Sequence, residues 1–207
     1  SWGYKTTIAG TTREQVRRSK ETGCTKMHFG VESMDNEGLA THEKHCDTDD
    51  VHRVFKWCKE EGLRSVAYIM IGGPHERSKE AVLKNLDGCL KLDPDYAAFA
   101  IYTPYPKTET FERGAALGLY KADCWEKLMI DPLCGETVPV CWEEHLSKEE
   151  LLELLKICHR RFYFRPRFIA RSLLKLESKQ ELKRLSSSAI NLMKLELLSP
   201  KNHEAPV

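Results

Sequence analysis

The sequence predicts an α/β fold built on parallel strands. Three apolar runs end abruptly in Gly, Pro and polar residues, and a helix-like segment follows each of them. The run from Val66 to Ile71 is apolar almost without interruption, which is typical of a strand buried on both faces of a parallel sheet. With a short strand at the start of the chain, four strands are predicted: residues 2–8, 25–31, 66–71 and 96–102.

Helix patterns separate these strands. A helix is predicted over residues 11–21 because Thr11 and Glu14 form a capping box at its start. Further helices are predicted over residues 48–61 and 78–91, where apolar residues recur at intervals of three and four. Alternating strands and helices with single crossovers indicate right-handed βαβ units.

The pattern changes after the fourth strand. A short helix is expected over residues 108–117, and residues 118–146 are predicted to be irregular. Two capping boxes predict two later helices: Ser147 with Glu150, and Ser178 with Glu181. We therefore divide the chain into an α/β part, a linker with a helical extension, and a disordered tail: residues 1–120, 121–198 and 199–207.

Composition and charge exclude several classes of partner. Lys and Arg number 32 and Asp and Glu 31, so a net charge of +1 gives no global attraction to nucleic acid or to an anionic membrane. No apolar run reaches the roughly 20 residues that span a bilayer. The eight cysteines form no CxxC pair, and no secretory leader is recognised. We therefore expect reduced thiols and a cytoplasmic protein.

Polar and flexible residues stand at the carboxyl ends of three predicted strands, the edge at which ligands bind in parallel α/β proteins. Carboxylate and hydroxyl groups there can bond to sugar hydroxyls, and glycines let backbone approach a flat ligand. Each group has an ordinary alternative, since Ser can cap a turn, Gly-Gly can form one, and Pro ends a strand. The candidates are Glu32 and Ser33, then Gly72, Gly73 and Pro74, then Thr103, Pro104, Tyr105 and Pro106.

The order and spacing of these strand ends resemble the core of radical S-adenosylmethionine (radical SAM) enzymes. A strand ending in GVES is followed after about forty residues by YIMIGGPHE, and then by DPDYA leading into a PYP turn. The resemblance covers residues 2–120 and is greatest to the branch whose members often carry a cobalamin-binding domain ahead of the core. Residues 1–120 would then be the C-terminal half of such a core.

The resemblance implies a fold and a cofactor site. The fold would be an incomplete (β/α)6 barrel of parallel strands with a C-terminal helical extension. Glu32 and Ser33 would lie near the ribose and methionine of S-adenosylmethionine (SAM), and Ile71 to Pro74 would contact adenine. The loop from Thr103 to Pro106 would bound the substrate side. In this family a [4Fe–4S] cluster cleaves SAM to a 5′-deoxyadenosyl radical, and cobalamin is a further expected cofactor.

One part of the family pattern is absent. No cysteines of this chain reproduce the CxxxCxxC spacing that holds the cluster. We therefore interpret the chain as a piece of a larger enzyme, with the cluster ligands in an upstream part of the same polypeptide, and we expect no SAM cleavage by this chain alone. His75 and Lys107 stand where the family pattern has glycine. The substrate is not indicated.

Three alternatives remain open. The chain could be a degenerate α/β binding or scaffold module that never held a cluster. A zinc site could form from a group of potential ligands: His42, His45, Cys46, His52 and Cys58. Arginines interleaved with aromatic residues over 160–171 could bind single-stranded nucleic acid, although such a pattern is more typical of an amphipathic helix broken at Pro166.

Overall fold

The computed structural model describes residues 2–130 and 140–174. Its sheet has four strands in the order β1-β2-β3-β4, and each strand pairs in parallel with the next along the chain. The predicted α/β class and parallel pairing are therefore confirmed. The strands are β1 (Trp2–Thr6), β2 (Cys24–Glu32), β3 (Arg64–Ile71) and β4 (Tyr96–Ile101).

Helices connect and flank the strands. The described residues contain eight: α1 (Arg13–Glu21), α2 (Asn36–Thr41), α3 (Thr48–Glu60), α4 (Lys79–Leu92), α5 (Glu109–Ala116), α6 (Cys124–Ile130), α7 (Lys148–Tyr163) and α8 (Pro166–Leu174).

One face of the sheet is apolar and packs against helices. The rings of Phe29 in β2 and Phe55 in α3 lie 5.1 Å apart, and Cys58 of α3 contacts Met27 of β2. Alternate residues of a strand point to opposite faces, so the neighbours of Met27 and Phe29 along β2 point to the other side. Those on the helix-covered face are fully buried, and those on the other face are only partly buried.

The start of α1 differs from the prediction by one residue. Thr12 is the cap, and its capping box is closed by Gln15, whose side chain accepts a hydrogen bond of 2.8 Å from the Thr12 N–H. The Thr11 hydroxyl instead donates to the Thr7 carbonyl at 2.7 Å. Glu14 is thus not part of the cap and pairs with arginines of its own helix. Two adjacent threonines make the local pattern ambiguous.

Two further helices were not predicted. The short helix α2 lies between β2 and α3, and α6 lies within the segment predicted to be irregular. The capping box of Ser147 and Glu150 is present at the start of α7, with both reciprocal hydrogen bonds formed. The helix predicted after Ser178 and the tail from residue 199 lie outside the described residues.

The chain divides into two compact units, residues 1–155 and 156–207. The first contains the sheet and α1 to α6 with the start of α7. In the second, the rings of Phe162 and Phe168 pack 5.8 Å apart where α8 begins at Pro166. The three-part domain division stays a prediction. None of the helices within the described residues has the length and apolar character needed to cross a membrane.

Gly72, directly after β3, packs against the start of α7. Its backbone has φ +76°, and a Cβ there would lie 2.4 Å from Cδ2 of Leu151. An ion pair between Lys79 and Glu150, at 3.0 Å, joins α4 to the same turn of α7. The glycine therefore allows α7 to approach the end of the central strand.

We expect Gly72→Ala to destabilise the fold more than Gly118→Ala. Both glycines have positive φ, so each substitution costs about 1–2 kcal/mol of backbone strain. Gly118 has no atom within 4 Å of the added Cβ, whereas Gly72 gains a clash that adds about 1–3 kcal/mol. Urea unfolding of both variants measures the difference. Equal losses would show that Leu151 does not constrain this position.

Candidate functional site

β2 ends in a bulge that turns the Glu32 carboxylate back over the strand. The pairing with β3 shifts register between Gly30 and Glu32, and Glu32 has φ +68°. A Cβ on Gly30 would lie 2.6 Å from Oε1 of Glu32, so the glycine makes room for the carboxylate. Nζ of Lys44 lies 3.1 Å from the same oxygen. A non-glycine residue in this conformation is strained, and such strain often marks a functional position.

Ser33 is fully buried immediately after Glu32. Its hydroxyl oxygen accepts a hydrogen bond of 3.1 Å from the N–H of Asp35, the residue that caps α2. A Cβ on Gly38 would lie 2.2 Å from Oγ of Ser33 and 2.6 Å from Nε2 of His75, so this glycine lets α2 approach both. Ser33 thus shapes the turn, and its contact with a ligand stays a prediction.

A buried carboxylate joins the ends of β2 and β3. Glu76 is only 3% exposed, and its Oε2 accepts from the Gly72 N–H at 2.5 Å. Its Oε1 accepts from Nδ2 of Asn85 in α4 at 2.9 Å, while Oδ1 of Asn85 accepts from the Met34 N–H at 2.8 Å. The network therefore connects both strand ends to one helix. Burial raises the pKa of Glu76, and the bonds from Asn85 and the Gly72 N–H oppose that rise.

Three rings from three successive strand–helix connections meet at this edge. His42 follows α2, His75 follows β3 and Tyr102 follows β4. The His42 ring lies 5.6 Å from that of His75 and 5.4 Å from that of Tyr102. Nε2 of His42 and both nitrogens of His75 are buried without a hydrogen-bond partner among the described residues.

Burial dominates the ionisation of the two histidines. It lowers the pKa of His42 to about 4, with smaller contributions from His75 and Lys44. Burial also lowers the pKa of His75, and the negative charges of Asp35 and Glu37 partly offset this by raising it. Both rings are therefore neutral at pH 7, and each neutral imidazole offers one donor and one acceptor. Gly73 lies beside them, since its Cβ would be 3.1 Å from Cε1 of His75.

The loop after β4 is held by a tryptophan that the sequence did not single out. Nε1 of Trp125 in α6 donates to the Pro104 carbonyl at 3.0 Å, and its ring stacks on Tyr105 at 5.1 Å. Tyr105 is 61% exposed, and the Thr103 hydroxyl donates to the Ile101 carbonyl. Lys107 has φ +65°, a conformation that favours glycine.

The parallel order of β2, β3 and β4 brings the three predicted groups of site residues to one edge of the sheet. The zinc candidates do not assemble, because no group of three or more potential ligands converges within residues 2–130 and 140–174. His42 meets His75 instead. Sequence reasoning missed the structural role of Asn85 and the pairing of Lys44 with Glu32. An amide within the apolar face of α4 was the available signal for Asn85.

Comparison with known proteins connects this edge to a family. The sequence model of the radical SAM superfamily matches residues 4–84. This segment is therefore similar to the radical SAM superfamily. It contains β2 and β3 with both of their carboxyl ends, and therefore Glu32, Ser33 and the turn from Gly72 to Glu76.

Relatives and solved structures extend the likeness. An uncharacterized methyltransferase of Pyrococcus horikoshii is 30% identical over 174 residues, which are 84% of this chain and 36% of that protein. Coproporphyrinogen III oxidase of Escherichia coli, a radical SAM enzyme, aligns with TM-score 0.56 at 13% identity, over 78% of this chain and 31% of that one. Elp3 of Methanocaldococcus infernus aligns with TM-score 0.57 at 17% identity, over 80% and 33%.

These structural likenesses show a shared fold. The four parallel strands with their helices correspond to part of the (β/α) barrel of radical SAM enzymes, which confirms the predicted partial barrel. The chain spans about a third of the length of these relatives.

We expect Asn85→Ala to destabilise the fold by about 2–4 kcal/mol, because it leaves the Met34 N–H and a Glu76 oxygen buried without partners. Asn36→Ala is the matched control. It removes an exposed bond to the Thr48 N–H and should cost less than about 1 kcal/mol. Urea unfolding compares the two variants, and similar losses would contradict a special role for the buried network.

We expect His42→Gln to weaken the pH dependence of stability between pH 7 and 5. The pKa of His42 is about 4 in the folded chain and about 6.5 when unfolded, so the unfolded state binds more protons as pH falls through this range. The unsubstituted chain should lose about 1 kcal/mol of unfolding free energy there from this group, and the variant should not. His45→Gln, an exposed imidazole, is the control. An unchanged slope in His42→Gln would refute the assignment.

Proposed function

We propose that this chain is part of a radical SAM methyltransferase that binds SAM along the carboxyl ends of β2 and β3. One observation carries the proposal: the superfamily match over residues 4–84 includes both strand ends. The relative from Pyrococcus horikoshii, which is called a methyltransferase, supports methyl transfer as the reaction.

Different residues at this edge are suited to different parts of SAM. The Glu32 carboxylate is a suitable acceptor for ribose hydroxyls, because the bulge holds it at the strand end and Lys44 contacts Oε1. Ser33 would support this turn. Gly73 and Pro74 are the better candidates for contact with adenine, since the space beside Gly72 is filled by Leu151 and its N–H is bonded to Glu76. Ile71 itself is fully buried.

The loop from Thr103 to Pro106 would bound the substrate. Trp125 fixes this loop through the Pro104 carbonyl and leaves Tyr105 exposed. An exposed aromatic ring on a braced loop can cover one side of a bound molecule.

In this proposal the [4Fe–4S] cluster and the cobalamin are cofactors of the complete enzyme, of which this chain is a part. SAM and a [4Fe–4S] cluster together supply one-electron cleavage of the sulfonium, and cobalamin would carry the methyl group. We propose that the cluster thiolates come from an upstream part of the same polypeptide, because no CxxxCxxC occurs in this chain. This chain would then position SAM and substrate but not cleave SAM alone.

We also propose a cytoplasmic location. The described cysteines are all free thiols, as expected in a reducing compartment.

A second candidate function is a degenerate module that has lost the reaction. Two departures favour it, since His75 and Lys107 occupy positions where the family pattern has glycine. Lys107 also keeps a left-handed backbone conformation, which only glycine adopts without steric strain. The coding sequence that precedes residue 1 discriminates the two candidates. A CxxxCxxC triplet after a strand supports the enzyme, and an intact upstream sequence without one supports the degenerate module.

The cofactor site is tested by titrating the chain with S-adenosylhomocysteine and SAM in calorimetry. We expect Glu32→Gln to weaken binding about tenfold, because a charge-assisted hydrogen bond to ribose is lost. Glu37→Gln, an exposed carboxylate of α2, should bind as the unsubstituted chain does. Equal affinities for both variants, or no binding of either probe at millimolar concentration, would remove Glu32 and this edge from the proposal.

A further inference from the structure

The face of the sheet opposite α3 carries a cluster of cationic and aromatic side chains. Register places Lys5 beside His28, His28 beside Val66 and Val66 beside Tyr96, in one row across all four strands. Lys26 and Tyr68 lie two residues away from this row on the same face. We call Lys5, Lys26, His28, Tyr68 and Tyr96 the basic face.

The members of the basic face contact one another. Nζ of Lys5 lies 5.4 Å from the centre of the Tyr68 ring, and Nζ of Lys26 lies 5.2 Å from that of Tyr96. Nδ1 of His28 lies 3.1 Å from the Tyr68 hydroxyl. The rings thus form a floor on which the two ammonium groups rest, an arrangement that holds cations in place while leaving their N–H groups free to bind.

The positive charge of this face is not neutralised within the described residues. No carboxylate of residues 2–130 or 140–174 forms an ion pair with Lys5 or Lys26, while the Glu32 carboxylate further along β2 is paired with Lys44. Burial lowers the pKa of His28, and Lys26 and Lys5 lower it further. The ring therefore experiences the positive potential of both lysines.

We infer that the basic face binds an oxyanion, a carboxylate or a phosphate, carried by the substrate. Two cations without counter-ions on a partly buried aromatic floor form a site for one anionic group, and the flat rings suit an organic molecule better than a free ion. This inference rests on the proposed function, because it names the substrate class of the proposed enzyme. The substrate is thus an anionic organic molecule.

Position along β2 separates this site from the proposed SAM site. Lys26, His28, Gly30 and Glu32 follow one another on the same face, and Glu32 is at the carboxyl end. The anionic group would lie deeper, toward the start of the strands, and the rest of the substrate would extend toward the strand ends. The oxyanion would thereby orient the substrate relative to SAM.

Calorimetric titration of the full chain with pyrophosphate and with citrate at low ionic strength tests the inference. We expect millimolar or tighter binding of at least one probe, weakened about tenfold by Lys5→Met and by Lys26→Met and reduced by added salt. Preference for pyrophosphate indicates a phosphate group, and preference for citrate indicates carboxylates. Lys59→Met, an exposed lysine of α3, is the matched control and should leave binding unchanged.

Two outcomes would overturn the inference: no binding of either probe, or equal affinity in the lysine variants and the control. Circular dichroism melts confirm that the variants fold. Titration with SAM separates this inference from the proposed function, since Lys5→Met and Lys26→Met should retain SAM binding, and Glu32→Gln should retain oxyanion binding. Absence of SAM binding by the unsubstituted chain would count against the proposed function, and absence of oxyanion binding by it would count against this inference.

Discussion

The buried carboxylate of Glu76 connects the turns that form the candidate site. Glu76 accepts from the backbone of Gly72 and from Asn85, and Asn85 in turn holds the backbone of Met34. Each member satisfies a group that would otherwise be buried without a partner. The turn after β3 and the loop after β2 are therefore fixed relative to each other, and the positions of Glu32 and Gly73 depend on that connection.

The two faces of the sheet differ in composition and in burial. The face toward α3 is apolar and fully buried, and it stabilises the domain through contacts such as Phe29 with Phe55. The opposite face contributes little to this core, which leaves it able to carry lysines, tyrosines and a histidine. In a barrel, residues on that face line the interior. Substitutions on that face can therefore change its charge without disturbing the core.

The strands could be predicted from sequence because burial on a parallel sheet leaves uninterrupted apolar runs. The short helix α2 escaped prediction because six residues give too few turns for a periodic pattern. The cap of α1 was misplaced because Thr11 and Thr12 are equivalent locally, and only the bond from Thr11 to Thr7 separates them. The roles of Lys44 and Trp125 depend on contacts between separate segments, which no local pattern encodes. For Asn85, the apolar face of α4 indicates a buried amide but does not indicate its partners.

The cysteines of this chain have a consequence for any preparation loaded with iron and sulfide. Burial raises the pKa of Cys58 to about 12 and also raises the pKa values of Cys46 and Cys124. Thiolate is the form that captures iron and exchanges disulfides, so these side chains react slowly at neutral pH. Iron retained stoichiometrically in such a preparation would therefore be expected at ligands other than Cys46, Cys58 and Cys124.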